Sequence, residues 1–372
     1  MNFIKVKELF EIKKGKKVEQ IEAFKEGCIR YIQIDDLRNN NNIKFCNEEK
    51  SYIISNSDDI IIAWDGANAG TIGYGLVGAI GSTLAILRKK DNNFNTEYCG
   101  LFLKSKFNYL RDKCAGATIP HISRSSLEEL EVPNIGIEKQ KKIANILNLT
   151  QELIDKRKEQ IEELDLLIKS KFIEMFGDPV LNPKGWNKQI MNDVAPVVNY
   201  KGKFNEEKIW LLNLDRVESN TGKIIDFNYV SIDDIGNSTC TFDTTNVLYS
   251  KLRPYLNKVV IPKEIGYATS EMVPLQPIKG TLNRYYLTYM LRSKAFVEYI
   301  SEKVVGAKMP RVSMNDFRSF EVAIPPIELQ IQFENFVKQV DKLKVEMEQS
   351  LKKLEDNFNS LMQKAFKGEL FI

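Results

Sequence analysis

The sequence predicts an α+β chain: two strand-rich domains with small helices, separated by a pair of long antiparallel coiled-coil helices, with an internal duplication. Three observations predict it. One string occurs twice: "GATIPHISRSSLEELEVPNIGIEKQ" begins at Gly116 and "GAKMPRVSMNDFRSFEVAIPPIELQ" at Gly306, an offset of 190 (306 − 116). Without a gap it pairs Pro120 with Pro310, Ser123 with Ser313, Glu131 with Glu321, Val132 with Val322, Ile137 with Ile327, Glu138 with Glu328 and Gln140 with Gln330. So long a period points to two copies of one large unit laid head to tail. After each copy comes a long stretch free of Pro and Gly, and the segments between carry short apolar runs in matching order.

The first domain is expected over residues 1–136. Its runs "RYIQIDDL" (Arg30 to Leu37), "DDIIIAWDG" (Asp58 to Gly66) and "GSTLAILRK" (Gly81 to Lys89) read as strands between turns. A helical patch, Thr96 to Lys113, leads to the repeated string. The first long helix, 137–178 with its exit, places Leu147, Ile154, Ile161, Ile168 and Met175 at seven-residue intervals, with Ile143, Ile146, Leu153, Leu164 and Leu167 beside them. The second domain, 179–326, answers with "IWLLNLDRV" (Ile209 to Val217), "TNVLYSKLRPYL" (Thr245 to Leu256), "YATSEMVPLQP" (Tyr267 to Pro277) and a helical patch from Asn283 to Lys303. The second long helix, within 327–372, repeats the interval at Phe333, Val340, Met347, Leu354 and Leu361, flanked by Val337, Leu343, Leu351 and Phe358. Each helix is about 60 Å long at about 1.5 Å per residue. Neither stripe can satisfy itself in water, so the two are expected to pair, antiparallel given their matching lengths; helices packed separately on their own domains are the alternative. Lys344 on the stripe leaves room for a third party.

Composition narrows the function classes. The net charge of +3 decides nothing about nucleic acid, because a phosphate-binding face can be local. Basic runs occur at Lys13 to Lys17, Arg88 to Lys90 and Lys251 to Lys258, each also readable as solvated surface. Cys28, Cys46, Cys99, Cys114 and Cys240 are scattered and never spaced CxxC, so neither a disulfide framework nor a cysteine metal site is indicated. His121 is the single histidine, which argues against a Ser-His-Asp triad or a His-rich metal site. No GxxxxGK[ST] loop or adenine-methyltransferase string is found, and "GTIGYG" at Gly70 fits a turn better than a phosphate loop. The charged start "MNFIKVKELFEIKK" and the lack of a long apolar run lead to the expectation of a cytoplasmic chain.

At this point the chain resembles the specificity subunit of a type I DNA restriction-modification system. The resemblance spans essentially the whole chain and rests on "VAIPPIELQ" (Val322 to Gln330), its partial copy "VPNIGIEKQKKIA" (Val132 to Ala144), "MFGDPVLNPKGW" (Met175 to Trp186) and "LYSKLRPYL" (Leu248 to Leu256). The first copy has "NIG" where the second has "IPP", so a different turn into the first helix is expected. The resemblance implies two target-recognition domains, each reading half of a bipartite, asymmetric site in double-stranded DNA, with the paired helices as a ruler between them. It implies two modification (methyltransferase) subunits that use S-adenosylmethionine and two restriction subunits driven by ATP with Mg. The chain itself would bind no cofactor or metal and hold no active site.

Candidate readers are polar and aromatic residues on loops beside the strands: Tyr31, Gln33, Asp35, Trp64, Asp65, Asn68, Thr71, Ser82 and Thr83 in the first domain, and Asn213, Asp215, Lys251, Arg253, Tyr255, Lys258, Ser270 and Glu271 in the second. His121 and Arg311, matched by the repeat, join them as a pair. Arg or Lys can face guanine and Asn or Gln adenine. Turn chemistry or packing explains any one of them equally well. The seam residues, Leu147, Ile154, Ile161, Ile168, Phe333, Val340, Met347, Leu354 and Leu361, are the candidates for helix and partner contacts. A coiled-coil scaffold that binds proteins and never touches DNA is the rival reading; a single-chain modification enzyme is a weaker third.

Overall fold

The computed structural model describes residues 2–116, 119–202, 204 and 207–370. Ala117 and Thr118 of the first repeated string lie outside them. Contacts divide the chain into two units, Met1–Lys158 with Gln349–Ile372, and Glu159–Glu348. The boundary falls inside both long helices, Ile137–Phe176 and Ile327–Lys367. Among the described residues no helix is long and apolar enough to cross a membrane.

In the first unit a ribbon pairs Asn2–Lys5 with Glu131–Asn134. One sheet runs Phe10–Lys14, Leu84–Lys89, Ile60–Ala63, Ile72–Tyr74, and another Gln20–Ile21, Lys44–Asn47, Cys28–Ile32, Gly78–Ile80, Ile54–Ser55. The second unit repeats this plan. Its ribbon pairs Asn187–Ile190 with Glu321–Ile324. Its sheets run Met272–Leu275, Val247–Ser250, Val259–Val260, and Tyr229–Ser231, Lys208–Leu212, Gly266–Thr269, Thr239–Phe242. The strand that would correspond to Phe10–Lys14 is reduced to a bridge between Val197 and Leu275. Even the parallel pairs correspond: Ile32 lies opposite Ile80 and Leu212 opposite Ala268.

The matched residues of the repeated string prove to be frame contacts. Ser123 and Ser313 cap short helices, their hydroxyls accepting from the Ser126 and Asp316 amides at 3.3 and 3.4 Å. Glu131 and Glu321 open the ribbon strands. Glu138 and Glu328 stand in the first turns of the long helices, where a negative charge suits the dipole. Gln140 and Gln330 are fully buried. The Gln140 side chain accepts from the Asn95 amide at 2.8 Å and donates to the Ile135 carbonyl at 2.7 Å; Gln330 accepts from Asn283 at 2.8 Å and donates to Pro325 at 2.8 Å. Asn95 and Asn283 are themselves helix caps, so each glutamine ties the start of a long helix to the start of a short one. Because both clamps are alike, the expected difference between the "NIG" and "IPP" turns does not arise. The amides of residues 139 and 140 bond the Gly136 carbonyl just as those of 329 and 330 bond Pro326.

Within each unit the helices run antiparallel. In the first, Ile143 and Leu147 share a core with Met362 and Phe366, while Lys158 reaches Glu355 at 2.9 Å. In the second, Phe172 and Phe176 lie against Phe333 and Asp165 pairs with Lys344 at 2.6 Å. Lys344, expected to leave room for a third party, is held by that ion pair, whose two side chains stay partly exposed. Leu147, Ile154, Ile168, Phe333 and Val340 are buried, and Ile161, Met347, Leu354 and Leu361 half-buried. Leu153 and Leu167, expected beside the seam, are 55% and 46% exposed. Successive helical residues are about 100° apart, so the neighbours of Ile154 and Ile168 turn outward.

Candidate nucleic-acid interface

The candidate readers gather on one rim of each unit, where the strand ends meet the repeated string. After strand Ile60–Ala63 the Trp64 amide bonds the Thr83 carbonyl at 2.7 Å, Ile122 bonds Trp64 at 2.9 Å and Gly66 bonds Pro120 at 2.9 Å. After Val247–Ser250, Lys251 bonds Glu271 at 3.0 Å, Val312 bonds Lys251 at 2.8 Å and Arg253 bonds Pro310 at 2.8 Å. The loops rejoin identically, the Ala63 amide donating to Thr71 at 2.8 Å and Ser250 to Lys258 at 3.0 Å. Trp64 therefore corresponds to Lys251, Gly66 to Arg253, Asn68 to Tyr255, Gly70 to Asn257 and Thr71 to Lys258.

Both loops turn through left-handed backbone, at Gly66 and Gly70 (φ +93° each) in one and at Arg253 and Asn257 (φ +49° and +51°) in the other. Glycine adopts this freely; for arginine it costs about 1 kcal/mol or more. The run "TNVLYSKLRPYL", expected as one strand piece, ends as strand at Ser250 and becomes a turn, because left-handed Arg253 and Pro254 cannot continue a ladder.

A second element completes the rim. Gln33 and Asn213 each precede a short 3₁₀ turn, Ile34–Leu37 and Leu214–Arg216, on which Asp35 and Asp215 are exposed. The Gln33 side chain accepts from Lys44 at 2.7 Å. Tyr31 packs beside Gly81. Ser82, Thr83, Ser270 and Tyr255 are exposed.

Several candidates are occupied internally. Thr71 donates to the Asn68 carbonyl at 2.9 Å, and Lys258 Nζ to the Leu214 carbonyl at 2.7 Å, joining turn to loop; burial lowers the pKa of that ammonium. Asp65 sits between Lys14 at 2.7 Å and His121 Nδ1 at 2.6 Å. Burial works against its charge, but hydrogen bonds from those partners hold its carboxyl below the usual range. Arg311 forks onto Glu271 at 2.8 to 3.1 Å and lowers that carboxyl's pKa likewise. So the repeat-matched pair His121 and Arg311 stands at the same place in both units, each hydrogen-bonded to an acid at the rim. Sequence reasoning missed Arg38 and Arg111, and noted Lys14 only as part of the basic run Lys13 to Lys17. Arg38 Nη2 donates to Asn68 Oδ1 at 2.7 Å and Arg111 to the Ala67 carbonyl, approaches that only the folded chain creates.

Two units of one topology, with rims alike in backbone and unlike in side chain, define a duplicated recognition protein. The chain belongs to the family of the type I restriction modification DNA specificity domain, whose model matches residues 1–163 and 183–356. It is 26% identical over 367 residues to the type I restriction enzyme MjaVIII specificity subunit of Methanocaldococcus jannaschii, covering 91% of this chain and 86% of that one. It is 21% identical over 314 residues to the EcoDI specificity subunit of Escherichia coli, 74% and 70% of the two chains. Its fold is similar to the S subunit of the M. genitalium type I restriction-modification system, at TM-score 0.59 and 17% identity over 98% of this chain and 96% of the other. It is also similar, at TM-score 0.63 and 16% identity over 99% and 98%, to a chain solved in work on complex assembly and conformational transition of the type I R-M system. The chain is thus a type I specificity subunit, a DNA-recognition rather than catalytic component.

Proposed function

We propose that the chain reads a bipartite, asymmetric site in double-stranded DNA, one half per unit, within a cytoplasmic complex of two modification and two restriction subunits. In this reading S-adenosylmethionine and ATP with Mg are bound by those partners. The observation that carries it is the rim: backbone bonds repeat from unit to unit while Trp64 is exchanged for Lys251, Thr83 for Glu271 and Gln33 for Asn213. Like frames hold the readers in place, and unlike side chains suit two different half-sites. A few polar groups suffice, since each good contact with a base edge discriminates by about 1 to 3 kcal/mol. The Asn213 amide, for example, matches the adenine edge.

The test is a map of methylated bases in the source genome with and without the gene. Loss of one two-part, asymmetric motif on deletion is the expected result. An unchanged map, with no salt-dependent DNA retention by the chain and its partners, would leave the protein-binding scaffold instead.

A further inference from the structure

The two left-handed loops stand at corresponding places, and both places are basic, by different routes. In the second unit the charge belongs to the loop: Arg253 is exposed, and its guanidinium has no hydrogen bond or ion pair among the described residues. In the first unit the loop from Gly66 to Gly70 is uncharged, and Arg38 and Arg111 reach onto it from elsewhere. Two acids beside the loops are already paired, Asp65 with Lys14 and His121 and Glu271 with Arg311, while Asp35 and Asp215 on the neighbouring turns are exposed.

Arg253 keeps a backbone conformation that glycine would hold with less strain, and it precedes a proline, which restricts it further. A Cβ built on Gly66 meets nothing within 4 Å, so a side chain at this place points into open space. The loops are tied to the repeated string by the same backbone bonds, so each meets what the two half-sites have in common. Their base sequences differ; their phosphates do not.

We propose that both loops rest on the sugar-phosphate backbone, with Arg253 in the second unit and Arg38 and Arg111 in the first as phosphate ligands. The inference rests on the DNA reading above and narrows Arg253 from a base reader to a positioning contact. In the full chain complexed with its modification subunits, Arg253→Gly removes the charge and restores the residue of the first unit. The methylated motif is expected to stay the same at every base, while the log–log salt dependence of binding to a duplex carrying it flattens by about 1. Arg253→Lys is expected to keep both the slope and the motif, because a phosphate accepts a point charge as well as a planar fork. Arg38→Gln, which can still donate to Asn68, is expected to flatten the slope in the same way. A base of the motif that becomes degenerate in Arg253→Gly would overturn the proposal in favour of base reading. Unchanged slopes in both Arg253→Gly and Arg38→Gln would overturn it too. A wild-type complex that methylates no motif would instead bring down the DNA reading, and this inference with it.

Discussion

The helix seam is built from different material in the two units. In the second it is aromatic: Phe172, Phe176, Phe333 and Tyr286 pack with ring centroids 4.8 to 5.6 Å apart. The corresponding places of the first unit hold Met362, Phe366, Ile143 and Tyr98, where Tyr98 and Phe366 alone keep a ring contact, at 5.4 Å. Yet both tyrosines do the same polar work, the Tyr98 hydroxyl donating to the Pro133 carbonyl at 3.2 Å and Tyr286 to Ala323 at 2.8 Å. The duplicated chain has kept its backbone bonds and let its packing drift, as cores tolerate when volume and pattern are preserved.

Three pairs of changes would break or sharpen that comparison. Phe333→Ala is expected to destabilise the second unit by about 4 kcal/mol and Ile143→Ala the first by about 3, since both are buried. Thermal unfolding of the two variants measures it, and equal losses would mean that the rings of the second unit add nothing beyond what Ile143 supplies in the first. Gln140→Ala and Gln330→Ala should cost alike, about 2 kcal/mol, because each leaves the same buried groups unpaired. Unequal denaturant midpoints would show that the clamps are not equivalent. The smallest effect belongs to the rim acids. Asp65 and Glu271 have lowered pKa values in the folded chain, so their contribution is present above the ordinary carboxylate range and lost as pH falls below about 4. It is expected to stay under about 1 kcal/mol per pair, since Lys14, His121 and Arg311 reach solvent. Asp65→Asn and Glu271→Gln should each reduce the acid-side slope of stability, and an unaltered slope would remove that pair from the account.

Legibility in the sequence followed the range of the interaction. The long helices were readable nearly to the residue, because an apolar period sustained over five heptads leaves few alternatives. The repeated string could be seen but not interpreted: that Gln140 clamps and the Pro120 carbonyl anchors a loop depends on partners far along the chain. The ribbon strands went unseen, since Asn2–Lys5 is short and pairs with residues more than a hundred positions away. At the rim, polar loop residues were named individually, but the correspondence of Gly66 with Arg253 shares no residue type and emerges only from the hydrogen bonds. Arg38 and Arg111 carry no local signal at all.

The boundary inside the long helices also sets an order of completion during synthesis. The second unit, Glu159–Glu348, is one uninterrupted stretch, whereas the first needs Gln349–Ile372 to bring Met362 and Phe366 to its core. A ribosome therefore delivers everything the later unit requires before the earlier one can close. The domain translated first is the last to be finished, and until then the core that holds Ile143 and Leu147 lacks Met362, Ala365 and Phe366.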